Sequence, residues 1–156
     1  MKLVLLDGEA LNPGDLSWAP LEALGELTVY PRGTNDPEEV IRRIGDAEIV
    51  LTNKTVVGRT VFERCQGLKL LCVVATGYNV VDTQAAKEHG VAVCNVPAYG
   101  TEMVAQFAIG LLLEICHHVE LHNASVHAGE WERCPNFCYW KTPIMELAGK
   151  TMGIIG

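Results

Sequence analysis

The stretch Leu3-Val4-Leu5-Leu6-Asp7-Gly8 is an unbroken apolar run closed by an acid and a glycine. A strand with one solvated face alternates apolar and polar residues, whereas an unbroken run suits a parallel strand buried on both faces. Similar runs return at Leu27 to Tyr30, Glu48 to Thr52, Leu68 to Ala75 and Val91 to Asn95, and helical patterns fill the intervals. The clearest begins at Asp36-Pro37-Glu38-Glu39. It has an N-cap acid, a proline at the first helical position and a capping-box acid at the third, and Val40, Ile41 and Ile44 follow on one side. Asp82 opens another, which runs through Ala85 and Ala86 to Gly90, a stop suited to the left-handed region. Strand and helix alternate about five times over roughly the first 95 residues, so the fold class is α/β with a mainly parallel sheet.

Pro97-Ala98-Tyr99-Gly100 has hinge composition and predicts a boundary between domains at 1–98 and 99–156. From Thr101 to about Ala128 no proline intervenes, which predicts one helix about 40 Å long at about 1.5 Å per residue. Val104, Phe107, Ile109, Leu111, Leu112, Leu113, Ile115 and Val119 surround its first half, so that half is expected to be buried on more than one side. Gly129 to Leu147 reads as an irregular segment with one short helix near its end. The last ten residues, Leu147-Ala148-Gly149-Lys150-Thr151-Met152-Gly153-Ile154-Ile155-Gly156, read as a turn and a first buried strand. That strand reaches the first glycine of G-x-G-x-x-G, so Gly156 is a candidate cofactor-binding residue, with the remainder of such a motif beyond it.

Composition narrows the function classes. A net charge of −7 with 12 scattered Lys and Arg argues against a nucleic-acid surface, which needs clustered cations. No apolar run approaches the roughly 18 residues that span a bilayer, and the first residues lack a signal-peptide core. Six cysteines lie mostly within apolar stretches, which suits buried reduced thiols and a cytoplasmic protein.

Two loops follow strands at the end of the sheet where ligands bind. Ala75-Thr76-Gly77-Tyr78-Asn79-Val80-Val81-Asp82 either forms a nest of backbone N–H groups for a small carboxylate or is an ordinary strand-to-helix turn capped by Asp82. Thr52-Asn53-Lys54-Thr55 could offer amide or ammonium groups to the same ligand. Glu114, His118 and His122 would align on one helical face, but Cys134 and Cys138 lack a second pair. The histidines are therefore read as a solvated or interfacial stripe and no metal is expected. No cysteine is flanked by features that would make it a nucleophile.

The chain resembles the D-isomer-specific 2-hydroxyacid dehydrogenases, and among them the glycerate dehydrogenase (hydroxypyruvate reductase) branch. The resemblance is carried by Thr52-Asn53-Lys54, the Ala75 to Asp82 loop, Asn95-Val96-Pro97-Ala98-Tyr99-Gly100-Thr101 with Val104-Ala105-Gln106-Phe107, Gly129-Glu130-Trp131, Phe137-Cys138-Tyr139-Trp140 and Glu146 to Gly156. It implies a flavodoxin-like parallel-sheet substrate domain, lacking its C-terminal return helix, then the incomplete start of a Rossmann NAD(P)-binding domain. Asn53, Thr76, Gly77 and Tyr99 would bind substrate, and Thr76, Val104 and Gly156 would lie at an NAD or NADP site. The region 101–140 would form a homodimer arm. The family's catalytic Arg, acid and His match no residue of this chain, so no catalytic residue is assigned and the chain alone is expected to be inactive. In full-length form the family reaction would reduce hydroxypyruvate or glyoxylate to D-glycerate or glycolate. A stand-alone carboxylate-binding or dimerising module without redox activity is the alternative.

Overall fold

The computed structural model describes residues 1–155. The chain divides into two compact units, Met1–Tyr99 and Gly100–Gly156. In the first, the strands β1 (Lys2–Leu5), β2 (Glu26–Val29), β3 (Ile49–Thr52), β4 (Leu70–Val73) and β5 (Ala92–Cys94) form one sheet in the order β2-β1-β3-β4-β5. Every neighbouring pair is parallel, and this order is that of flavodoxin-like doubly wound sheets.

The five apolar runs therefore all become strands: β3, β4 and β5 are shorter than their runs, while β1 and β2 each begin one residue earlier, at Lys2 and Glu26. Register explains why the runs are unbroken. Val4, Val50 and Leu71 stand beside one another on one face, which packs on Val40 and Ile44 of α2 (Pro37–Ile44), Val61 and Phe62 of α3 (Arg59–Arg64) and Ala85 and Ala86 of α4 (Thr83–Glu88). On the other face, Leu3, Ile49, Leu70 and Ala92 are aligned. Burial there declines along the row, from Leu3 at 2% exposure to an exposed Ala92. The short helix α1 (Ala19–Glu22) belongs to the β1–β2 connection.

Both predicted N-caps form. The Asp36 carboxylate accepts from Glu38 N at 3.1 Å, and that of Asp82 from Ala85 N at 2.8 Å. Gly90 ends α4 region with φ +71°. The capping box does not close, because Glu39 binds the guanidinium groups of Arg42 and Arg43 while Asp36 N–H donates to Thr34 Oγ1. Two cations outcompete one backbone N–H for the acid.

The second unit departs further from expectation. The long helix is two: α5 (Thr101–His117) and α6 (Val119–His127), bent by 62° at His118, which is left-handed at φ +50°, ψ +51°. His118 N–H still closes α5 on Glu114 O, and the Glu114 carboxylate lies 3.4 Å from Glu120 N in the first turn of α6. An acid one turn back thus supplies a cap that permits the break. The short helix α7 (Glu130–Arg133) comes at the start of the irregular segment rather than near its end, directly after Gly129 with φ +74°. Ser125, Glu130, Tyr139 and Lys141 form a hydrogen-bonded cluster that holds this segment together. Met152 to Ile155 form no strand, since no described segment pairs with them, and Ile154 and Ile155 are exposed. Most apolar residues of α5 are exposed as well, Phe107 at 68%, where burial on more than one side was expected; Leu112 is half-buried and Cys116 buried. No single helix is long and apolar enough to cross a membrane.

Candidate functional site

In a sheet of this order, the crevice beyond β1 and β3 lies where the chain connections diverge, and ligands commonly bind there. Here Asp7, at the end of β1, fills it from within. Its Oδ1 accepts from Asn53 N at 2.8 Å, and its Oδ2 accepts from Lys54 N at 2.7 Å, Thr55 N at 2.9 Å and Thr55 Oγ1 at 3.1 Å. Thr52 Oγ1 stands 3.2 Å from the same oxygen. Asp7 is 4% exposed, and Thr52 and Thr55 are buried. Gly8 lets the chain turn immediately afterwards: its N–H donates to Tyr30 O at 2.8 Å, and a Cβ there would stand 2.6 Å from Val29 Cγ1. The amides of the Thr52 to Thr55 loop are therefore occupied internally, not free for a ligand. Asp7 escaped the sequence reading because an acid ending an apolar run looks like a boundary. The signal available was an acid at one strand end and a polar Thr-Asn-Lys-Thr loop at another.

Asn53 and Lys54 diverge. Asn53 and Tyr99 line one cavity of about 290 Å³ with Ala10, Leu11, Val74 and Val96. Lys54 lines a separate depression of about 300 Å³ with Asp7, Gly33, Thr34, Asn35 and Thr55, not the cavity that Asn53 lines. Ala10 and Leu11 come from a 3-10 turn (Gly8–Ala10) and its end, and neither was marked by the sequence.

Thr76 and Gly77 are not among the residues lining the Asn53–Tyr99 cavity, but Thr76 borders it through Val96. Its Oγ1 donates to Val96 O at 3.1 Å, and Asn95 Nδ2 donates to Thr76 O at 2.8 Å, joining the loops after β4 and β5. Among the described residues the backbone N–H groups of Gly77, Tyr78 and Asn79 have no acceptor. A Cβ on Gly77 would meet only Asn79 Oδ1, at 3.5 Å, so the loop surface is open there. The N-cap role of Asp82 and a set of free donors thus coexist in one loop. Three adjacent N–H groups can bind a carboxylate.

Val104 lies in the second unit on α5 and is 68% exposed. Gly156 lies outside the described residues. Among the described residues no three His, Cys, Asp or Glu side chains could hold one metal ion. His122 Nδ1 contacts His118 O at 2.8 Å, at the start of α6. Burial pushes the thiols of Cys65 and Cys72 up, away from nucleophilic character. What the arrangement offers chemically is three free backbone donors on an open loop surface.

Residues 7–152 match the family described as D-isomer specific 2-hydroxyacid dehydrogenase, catalytic domain. A hydroxypyruvate reductase of Blautia hydrogenotrophica is 61% identical over 157 aligned residues, covering 100% of this chain and 49% of the relative. A glycerate dehydrogenase of Methylorubrum extorquens is 36% identical, covering 99% of this chain and 48% of the relative. The apo structure of D-lactate dehydrogenase from Escherichia coli superposes with a TM-score of 0.68 at 27% identity, over 97% of this chain and 47% of that one. The chain thus spans about half the length of the curated relatives it matches. With the flavodoxin-like strand order, the loop carrying free donors and a match across most of its length, the chain belongs to the D-isomer-specific 2-hydroxyacid dehydrogenase family, oxidoreductases that act on CH–OH groups.

Proposed function

We propose that the first unit binds and orients the carboxylate of a small 2-keto acid, hydroxypyruvate or glyoxylate, for reduction to D-glycerate or glycolate. The observation that carries this reading is the set of unpaired N–H groups at Gly77, Tyr78 and Asn79, in the loop whose Thr76 hydroxyl donates to Val96 O, Val96 itself lining the cavity with Asn53 and Tyr99. Placing the carboxylate on the N–H groups leaves the adjacent carbonyl carbon toward the cleft, where the Asn53 amide and the Tyr99 phenol are at hand for its polar substituents. Fixing the substrate in one orientation lowers the entropic part of the barrier.

NAD or NADP supplies the hydride in this reading. Among the described residues, Met152 to Ile155 pair with no strand, and they are given no part in holding the dinucleotide. No reaction step is therefore assigned through the cofactor, and orientation of the acid is the role given to this chain. The second unit, with its exposed α5, is assigned to a homodimer interface within 101–140.

The test is an assay of the complete product of the reading frame on hydroxypyruvate and glyoxylate with NADH and with NADPH, beside residues 1–156 alone. The complete product is expected to reduce hydroxypyruvate, and residues 1–156 are expected to reduce neither acid. Turnover at an enzyme-like rate by residues 1–156 would overturn the assignment of orientation only.

A further inference from the structure

We infer that Asp7 is the positioning residue of this cleft: its buried carboxylate folds the Asn53–Thr55 loop around itself and thereby sets the Asn53 side chain on the cavity wall. The N–H groups of Asn53, Lys54 and Thr55 converge as they do in anion-binding concavities, and the anion they enclose belongs to the chain itself, 46 to 48 residues away. Oδ1 holds Asn53 N while Oδ2 holds Lys54 N and Thr55 N, so the intervening peptide planes are fixed. With these planes fixed, the two successive residues serve different cavities, Asn53 the one lined by Tyr99 and Lys54 the one lined by Thr34 and Asn35. Without the anion, the buried Thr55 N–H and hydroxyl and the part-buried Asn53 and Lys54 N–H groups lose their acceptor, and the loop must rearrange to satisfy them.

The position is specific for aspartate. Glutamate carries one methylene too many for a crevice in which Thr52 and Thr55 are buried beside the carboxylate. Asparagine would turn an NH₂ group toward donors that need an acceptor. The same arrangement explains why the carboxylate nest of the proposed reaction lies after β4: the crevice nearer β1 is already filled.

Two measurements test the role of Asp7, and only the second rests on the proposed function. In Asp7→Asn, the amides of Asn53, Lys54 and Thr55 are expected to exchange about tenfold or more faster with deuterium, while those of Val50 and Leu71 in the strands stay protected. In the complete product of the reading frame, Asp7→Asn is expected to raise the hydroxypyruvate KM about tenfold, with kcat within about twofold. Asn53→Ala should give the same split, and the double variant should be no worse than either single one. Thr55→Val, which removes one donor and keeps the shape, should show a smaller effect of the same kind, and it decides the matter if Asp7→Asn does not fold. Unchanged exchange at the three amides, or KM effects of Asp7→Asn and Asn53→Ala that multiply, would overturn the inference. A parent protein that does not reduce hydroxypyruvate would overturn the functional reading instead, and amide exchange would then decide the role of Asp7 by itself.

Discussion

Gly77 carries the most direct prediction at the scale of single residues. Its backbone is not left-handed, and an added Cβ would make an ordinary 3.5 Å contact with Asn79 Oδ1. Gly77→Ala should therefore change stability by no more than about 0.5 kcal/mol. The methyl group would stand over the free N–H groups, and the keto-acid KM should rise about tenfold if they bind the carboxylate. Thermal denaturation and steady-state kinetics on the complete product separate the two effects. Glu39 bears on acid stability. Hydrogen bonds from Arg42 and Arg43 hold its carboxyl at about 2, down from an ordinary 4.5. A depressed carboxyl contributes stability that is complete above its unfolded pKa and is lost as pH falls toward the folded one. The melting temperature of Glu39→Gln should thus fall less than that of the parent between about pH 5 and pH 2. Parallel curves for the two proteins would show that these exposed pairs contribute nothing measurable. At this scale the caps Asp36 and Asp82 were legible in the sequence because a cap depends on residues two or three positions away. Asp7 was not, because its partners are more than forty residues distant.

Among the elements, the break between α5 and α6 is where sequence periodicity misled. Thr101 to Ala128 contains no proline, and its one glycine, Gly110, lies inside α5. Nothing local except the weak helix propensity of consecutive histidines marks position 118. A non-glycine residue with φ +50° is in a region that costs about 1 kcal/mol or more. His118→Gly should stabilise the second unit by about 1 kcal/mol, measured by chemical denaturation. A loss of stability would mean that the chain at this point is helical in solution. The strands behave differently. Each apolar run became a parallel strand, since period and burial on two faces are local demands, but the strand ends were trimmed or shifted, since chain direction there depends on neighbours such as Tyr30 beside Gly8.

For the whole molecule, the exposed apolar residues of α5 matter most. Met103, Val104, Phe107 and Ile115 are each at least two-thirds exposed, and a large apolar side chain gains about 1.5 to 3 kcal/mol on full burial. Faces of this kind are interaction surfaces in soluble proteins. A dimer at micromolar concentration is expected by light scattering, with Phe107→Glu shifting it to monomer, and a clean monomer for the parent would count against the assigned interface. The sequence by itself determined the class of fold, the five strands and two of the helix caps, since these follow from periodicity and from contacts within a few residues. It also carried the family resemblance that pointed to Asn53, Thr76, Gly77 and Tyr99. Tertiary structure decided which of those residues meet. Parallel pairing of β1 with β3 brings Asp7 beneath the Asn53 loop, sends Asn53 and Lys54 into different cavities and leaves the free N–H groups to the loop after β4. No local pattern encodes that arrangement, because it depends on which strand ends the crossovers place side by side.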